Sequence, residues 1–338
     1  MVVLRYFLNR IPRLLIVFFG VSIITFAISH VIPGDPARML VGQRASQETL
    51  DKMRGELGLD KPLHVQYIKY VGDLLQGDMG KSIRTQQPIA SELKRYFPAT
   101  LELTLVSMLI TLIAGVLLGV WAAVKRDRWV DHISRIVSLV GVSNPLFWSG
   151  LVVMVVFYKW LQLFPASGRL NPFISPPTFY TGMYLVDGFL DGNMAVVGNA
   201  VQHLVLPAGC LAYVQLAVIA RQVRSSMIEV LSQDYIRTAK SFGLSTRKII
   251  YHYALKNALL PTVTVAGLIF GELLGGAIIT EAIFGWPGMG KYVVDSVTFL
   301  DFPAIMGFTM VVSFGYVIIN LLIDLLYRVL DPQIREGG

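Results

Sequence analysis

Seven consecutive residues, Gly285-Trp286-Pro287-Gly288-Met289-Gly290-Lys291, have the glycine and lysine spacing of a phosphate-cradling loop. In such a loop the backbone amides wrap the phosphates, and the hydroxyl that follows the lysine binds magnesium. Here Tyr292 takes the place of that hydroxyl residue and no strand precedes the loop, so it does not read as a nucleotide site. Gly141-Val142-Ser143 opens like a nucleophile elbow, but Pro145 stands where the closing glycine belongs. The five histidines are scattered without metal-ligand spacing, and His132, beside Asp131, reads as an interfacial residue. The single cysteine, Cys210, can form no internal disulfide and reads as a small packing residue. Two features keep chemical interest. Glu272 lies midway along an apolar run, where a charge is costly; it either faces a cavity or partner, or bonds to a neighbouring helix. The other is a cationic stretch with interleaved aromatic residues between 221 and 257.

The elements that carry these residues are apolar. Of the 338 residues 54% are hydrophobic and only 15% charged, whereas soluble domains carry about a quarter charged residues. A hydrocarbon core about 30 Å thick needs roughly 20 apolar residues per helix. Six runs qualify, at 14–32, 99–124, 133–161, 203–220, 258–283 and 303–327. The formal charge of +7 could suggest nucleic acid, but its distribution records orientation instead. Arg5, Arg10 and Arg13 precede the first run, and Lys125, Arg126 and Arg128 fill the link after the second. Arg221, Arg224, Arg237, Lys240, Arg247, Lys248 and Lys256 crowd the link after the fourth, and Arg328 and Arg335 mark the tail. The positive-inside rule therefore predicts both termini and the 221–257 loop in the cytoplasm. The first run is longer than a signal-peptide core and His30, Ile32 and Pro33 provide no cleavage pattern, so it reads as a retained span.

This divides the chain into residues 1–32, the N-terminus and first span; 33–98, an external helical segment; and 99–338, a five-span core with its cytoplasmic loop at 221–257. In the external segment Ser46 is placed to cap a helix bearing Leu50, Met53 and Leu57, with Gly58 stopping it. Leu63, Tyr67, Tyr70 and Leu74 repeat the helical spacing. The link at 164–202, rich in Pro, Gly and Asn, reads as an irregular loop with one short helix. Gly115, Gly119 and Ala123, and likewise Gly267, Gly271 and Gly275, recur at four-residue intervals that let helix backbones approach closely, within the subunit or against another. In the cytoplasmic loop, Asp234 to Gly243 predicts a short helix capped near Asp234, with Tyr235, Ala239 and Phe242 on one face and Gly243 ending it. Ser245 starts a second, basic helix that continues to Leu260, before Pro261. Such a knuckle suits docking into another protein's groove, or lying on its own bundle or on anionic lipid.

The loop resembles the coupling loop of ABC importer permeases, and the whole chain is similar to the first permease subunit of the dipeptide and oligopeptide importers. The resemblance rests on Ile32-Pro33-Gly34-Asp35-Pro36, Gly77-Asp78-Met79-Gly80-Lys81-Ser82, Phe97-Pro98-Ala99-Thr100-Leu101-Glu102, Asp234-Tyr235-Ile236-Arg237-Thr238-Ala239 with Gly243, Glu281 to Gly290, and Asp331-Pro332. Arg237 and Thr238 stand where the general pattern has Glu and Ala, and Tyr253 and Lys256 depart from it further on. The resemblance implies an all-α type I permease fold and a bacterial inner-membrane location. It implies that ATP-driven import of dipeptides or short oligopeptides passes through a heterodimer with a second permease. Two cytoplasmic ATPases would bind the ATP and magnesium, this chain binding no cofactor, and an external binding protein would deliver substrate. Asp234, Tyr235, Arg237, Ala239, Phe242 and Gly243 would then couple to the ATPase, with Glu272 on the path. The alternative is a self-sufficient secondary transporter or channel, which would want intramembrane ion-coupling groups and inverted repeats, neither of which is evident.

The charge pattern predicts that reporter fusions after Gly58 and after Gly198 read as external. A cytoplasmic signal from either would overturn the topology.

Overall fold

The computed structural model describes residues 2–31, 36–42 and 45–330. The matches at Ile32 to Asp35 and at Asp331-Pro332, and Arg335, lie outside the described residues. The described chain is helical: α1 (Val2–Val31), α2 (Pro36–Val41), α3 (Gln47–Leu57), α4 (Leu63–Leu75), α5 (Ile89–Val124), α6 (Trp129–Ser143), α7 (Leu146–Val153), α8 (Tyr184–Leu190) and α9 (Met194–Leu231) come first. They are followed by α10 (Asp234–Ser241), α11 (Thr246–Lys248), α12 (Leu255–Gly276), α13 (Ile278–Ile283), α14 (Met289–Thr298) and α15 (Phe302–Leu330). Short π-helical stretches, Met154–Trp160 and Ile249–Ala254, extend α7 and join α11 to α12. This is an all-α membrane fold. Four described helical stretches are long and apolar enough to cross a bilayer, and a bent pair makes a fifth. The apolar part of α1, Leu15–His30, is shorter.

Local chemistry explains where the elements begin and end. Ser46 caps α3 by accepting the Thr49 amide, and Gly58 closes it in the left-handed conformation at φ 71°. The predicted span 133–161 is instead broken, because Trp129–Gly141 and Leu146–Trp160 meet at 105°. Pro145 favours the break: it disfavours helical backbone at the preceding residue, and Asn144 is extended at ψ 131°. Two further boundaries differ from expectation. The helix of the fourth span starts at Met194, capped by the Asn193 side chain, so Gly198 is already helical. Pro261 does not end the basic helix, since the helical stretch runs through it from Thr246 to Gly275.

The chain forms two compact units. In the unit that combines the residues up to Phe97 with Lys291–Val317, α1 and α4 meet through Ser22 and Tyr67, 2.9 Å apart, and through Phe26, which stacks on Tyr70 and meets Tyr67 edge-on. Ser82 donates to the buried Asp301 carboxylate, which also accepts the Arg84 amide at 3.1 Å. Tyr292 stacks on Tyr96 and donates to Glu92 at 2.9 Å.

The second unit, Pro98–Gly290 with residues from Ile318 onward, is organised about α9. The predicted small-residue stripe on α5 serves contacts within the subunit. A Cβ on Gly119 would stand 2.7 Å from the Ala220 carbonyl, and one on Gly115 would stand 2.9 Å from the Ile219 Cβ, so glycine permits this approach of α5 to α9. Gly267 of α12 likewise leaves room for Ile323. In the 164–202 link Asp187, 1% exposed, accepts from the Thr181 amide and hydroxyl and from the Gly182 amide. The link is tied to α5 by a buried ion pair: Arg169 donates to Glu102 at 2.6 Å and to the Gly182 carbonyl, with its guanidinium 3.6 Å over the Tyr184 ring. Removing one partner of a buried pair strands the other, at a cost of about 3–5 kcal/mol. Arg169→Met should therefore lower the thermal midpoint of the purified chain by several degrees, and Glu102→Gln added to it should restore part of the loss. An unchanged midpoint for Arg169→Met would contradict this.

Candidate functional site

The cationic segment begins where α9 ends. After the turn at Ser232 and Gln233, α10 carries Ile236 and Ala239 on its inner face, where they are 0% and 7% exposed within the same apolar core as Val223, Met227, Ile249 and Ala254. Its N-cap is Gln233 rather than Asp234, and the Asp234 carboxylate instead pairs with Arg237 at 3.2 Å on the outside. At the other end the Gly243 amide donates to the Lys240 carbonyl and the Leu244 amide to that of Ala239, with Gly243 at φ 73°. This is the paired arrangement that ends a helix on a left-handed residue, and it fixes the direction in which the chain leaves. The predicted face of Tyr235, Ala239 and Phe242 is thereby divided. Ala239 packs inward, whereas Tyr235 is 40% and Phe242 80% exposed. An alanine so buried cannot present a docking surface, because its Cβ is covered by the chain's own core. The Tyr235 hydroxyl is held by Asn257 at 2.8 Å, which ties α10 to the start of α12. Around this knuckle Arg237, Lys240, Arg247, Lys248 and the aromatic Tyr251 are exposed.

Glu272 lies on α12 with an exposed side chain, while Leu273 and Leu274 beside it are buried. The carboxylate thus faces outward from this subunit and lies apart from the coupling segment along the helix.

A third cluster was not foreseen as a site. Glu281 is 0% exposed on α13 and accepts the Thr100 hydroxyl at 2.6 Å. Thr100 Oγ1 accepts the Met289 amide, and the Trp286 indole donates to the Ala99 carbonyl, each at 2.8 Å. Gly288 and Gly290 press directly on this carboxylate, and a Cβ at either would collide with it or with the backbone of Ile278. The phosphate-loop spacing of Gly285 to Lys291 is therefore the wrapping around a buried carboxylate, whose charge is opposite to a cradle for phosphate. Lys291 bonds Asp295 at 2.9 Å. The sequence signal for this cluster was present in the glycine run that follows Glu281, since small residues close together mark a backbone packed against something.

Two family models match the chain. One, described as the inner-membrane component of binding-protein-dependent transport systems, covers residues 115–336, and the other, the N-terminal part of such membrane components, covers residues 3–104. The chain belongs to this family of ABC importer permeases. It is 54% identical to the probable D,D-dipeptide transport system permease protein DdpB of Escherichia coli, over 98% of this chain and 97% of that one. It is 43% identical to the dipeptide transport system permease protein DppB of Alkalihalophilus pseudofirmus, over 98% and 99%. It is 37% identical to the glutathione transport system permease protein GsiC of Salmonella paratyphi A, over 98% of each. The chain is thus a multi-pass membrane permease that works with further components of a transport system, and not itself an enzyme.

The Glu281 cluster generates a prediction of its own. Gly288→Ala should destabilise this permease by about 1–3 kcal/mol through overpacking, while Gly209→Ala, where a Cβ meets nothing within 4 Å, should not. Equal thermal midpoints for the two variants would show that the glycine contact is unimportant.

Proposed function

We propose that this permease forms half of the translocation path of an ATP-driven importer of dipeptides or short oligopeptides, and that α10 with Gly243 docks a cytoplasmic ATPase. Its relatives named for D,D-dipeptides, dipeptides and glutathione support a small peptide as the substrate class. The observation that carries the coupling role is Phe242. A phenylalanine 80% exposed, on a helix whose opposite face is sealed into the core, is a rigid apolar anchor. The cations around it suit an acidic rim on the partner.

In this reading the partners are a second, homologous permease, two ATPases that bind ATP and magnesium, and an external binding protein. Both termini and the 221–257 loop face the cytoplasm, residues 33–98 form an external segment, and 99–338 the core that carries the path. ATP-driven closure of the ATPases moves α10, and the two permeases alternate between inward and outward openings. Glu272, outward on α12, faces the path or the second permease.

The test is uptake and ATP hydrolysis by the reconstituted transporter. Phe242→Asp and Gly243→Val should each retain the second permease but lower peptide uptake more than tenfold, because a left-handed glycine replaced by a branched residue costs about 1 kcal/mol or more and tilts the joint. Ala239→Asp should fail earlier, in folding, since it buries a charge. Glu272→Gln should change uptake without releasing any subunit. Wild-type uptake in both Phe242→Asp and Gly243→Val would refute the coupling role, and in Glu272→Gln the path role.

A further inference from the structure

A cleft of about 780 Å³ opens between α6 and α9, at the end of α9 from which the coupling segment leaves. Four guanidinium groups, Arg126, Arg135, Arg221 and Arg224, line it, together with Ser134, Ser138 and Ser225. Among the described residues two carboxylates pair with them. Asp131, fully buried, takes Arg224 on both oxygens at 2.6 and 2.8 Å and Arg135 at 2.7 Å. Asp127, on the rim, lies 3.4 Å from both Arg126 and Arg135. Arg221 makes no ion pair among the described residues, so the cleft holds a surplus of positive charge.

The serines point to a ligand independently of that charge. A helical serine usually returns its hydroxyl to a carbonyl one turn back, as Ser107 does to Leu103 at 2.7 Å. Ser134 and Ser138 are 3% and 8% exposed, face the cleft, and make no hydrogen bond among the described residues. Two nearly buried hydroxyl donors, one turn apart and beside a cluster of four guanidiniums that shares two carboxylates, form a site for a phosphate-type oxyanion.

The walls favour a lipid over a soluble anion. Leu139 and Ile228 line the same cleft. Along α6 the exposed side chains Ile133, Ile136 and Leu139 form an apolar strip, and Trp129, 71% exposed, stands at its start, where an aromatic residue marks headgroup level. Phosphate chemistry in the cleft and an acyl-chain track beside it are the two ends of one molecule. We propose that the α6–α9 cleft binds the phosphate of an anionic phospholipid, with an acyl chain along Leu139 and Ile136.

The experiment is a thermal-unfolding titration of the purified full chain in neutral detergent with phosphatidylglycerol, phosphatidylcholine or inorganic phosphate, repeated on the assembled transporter. Arg224 and Arg135 are left intact because they satisfy Asp131. The variant is Arg126→Gln with Arg221→Gln, and the charge-matched control is Lys69→Gln with Lys94→Gln, both exposed and remote in sequence. Phosphatidylglycerol should raise the midpoint of the wild type and the control alike, and should bind the double-arginine variant on the order of thirtyfold more weakly. Ser134→Ala with Ser138→Ala should weaken it too, with no change in charge. Phosphatidylcholine and inorganic phosphate should have no effect. Equal stabilisation of wild type and double-arginine variant would overturn the proposal, as would no stabilisation of the wild type. An equal effect of inorganic phosphate would make this a soluble-anion site. Binding to the chain alone but not to the assembled transporter would make the cleft a protein interface.

Discussion

The close approach of α5 to α9 at Gly115 and Gly119 is the contact on which the second unit depends. Lipid tails are as apolar as leucine, so helices in a bilayer gain little from hydrophobic burial and associate through close packing and polar contacts. With no side chain at either glycine, α5 lies against the Ala220 carbonyl and the Ile219 and Val223 side chains. That contact fixes α9, and α9 fixes what hangs from it. One end is preceded by the Asn193 cap and the Asp187-ordered link. The other carries Arg224 to Asp131 and leads into α10, whose inner face closes on Val223 and Met227.

Three buried carboxylates of this unit follow the same logic, each matched to a specific partner. Glu102 is matched by Arg169, Asp131 by Arg224 and Arg135, and Glu281 by Thr100 within a box of glycines. Each carboxylate is held by donors from the chain itself. They work as joints between segments distant in sequence: α5 with the 164–202 link, α6 with α9, and α13 with the start of the core. The alternation proposed above would use such discrete joints, because a packed core switches between states and does not deform smoothly.

Much of this was legible in the residues. The apolar runs, the Ser46 and Gly58 caps and the left-handed Gly243 follow from local rules that depend on few neighbours. What escaped depends on three dimensions. A helical period puts Tyr235, Ala239 and Phe242 on one broad face, but the fold covers only part of it, and periodicity carries no information about which part. The break at Asn144-Pro145 was readable from the proline, yet apolar content on both sides hid it. Glu281 looked like one carboxylate in a motif, and its burial appears only when Thr100 arrives from α5 and the following glycines fold back over it.

The central claim is that the exposed knuckle of α10, and not its inner face, meets the ATPase. Cys210 is the only native cysteine and is buried, so Cys210→Ser provides a clean background for single-cysteine crosslinking in the assembled transporter. Phe242→Cys should crosslink to the ATPase in high yield and become protected from a soluble maleimide on assembly, whereas Ala239→Cys should do neither. Full maleimide labelling of Phe242→Cys in the assembled, ATP-hydrolysing complex, with no crosslink, would contradict the account.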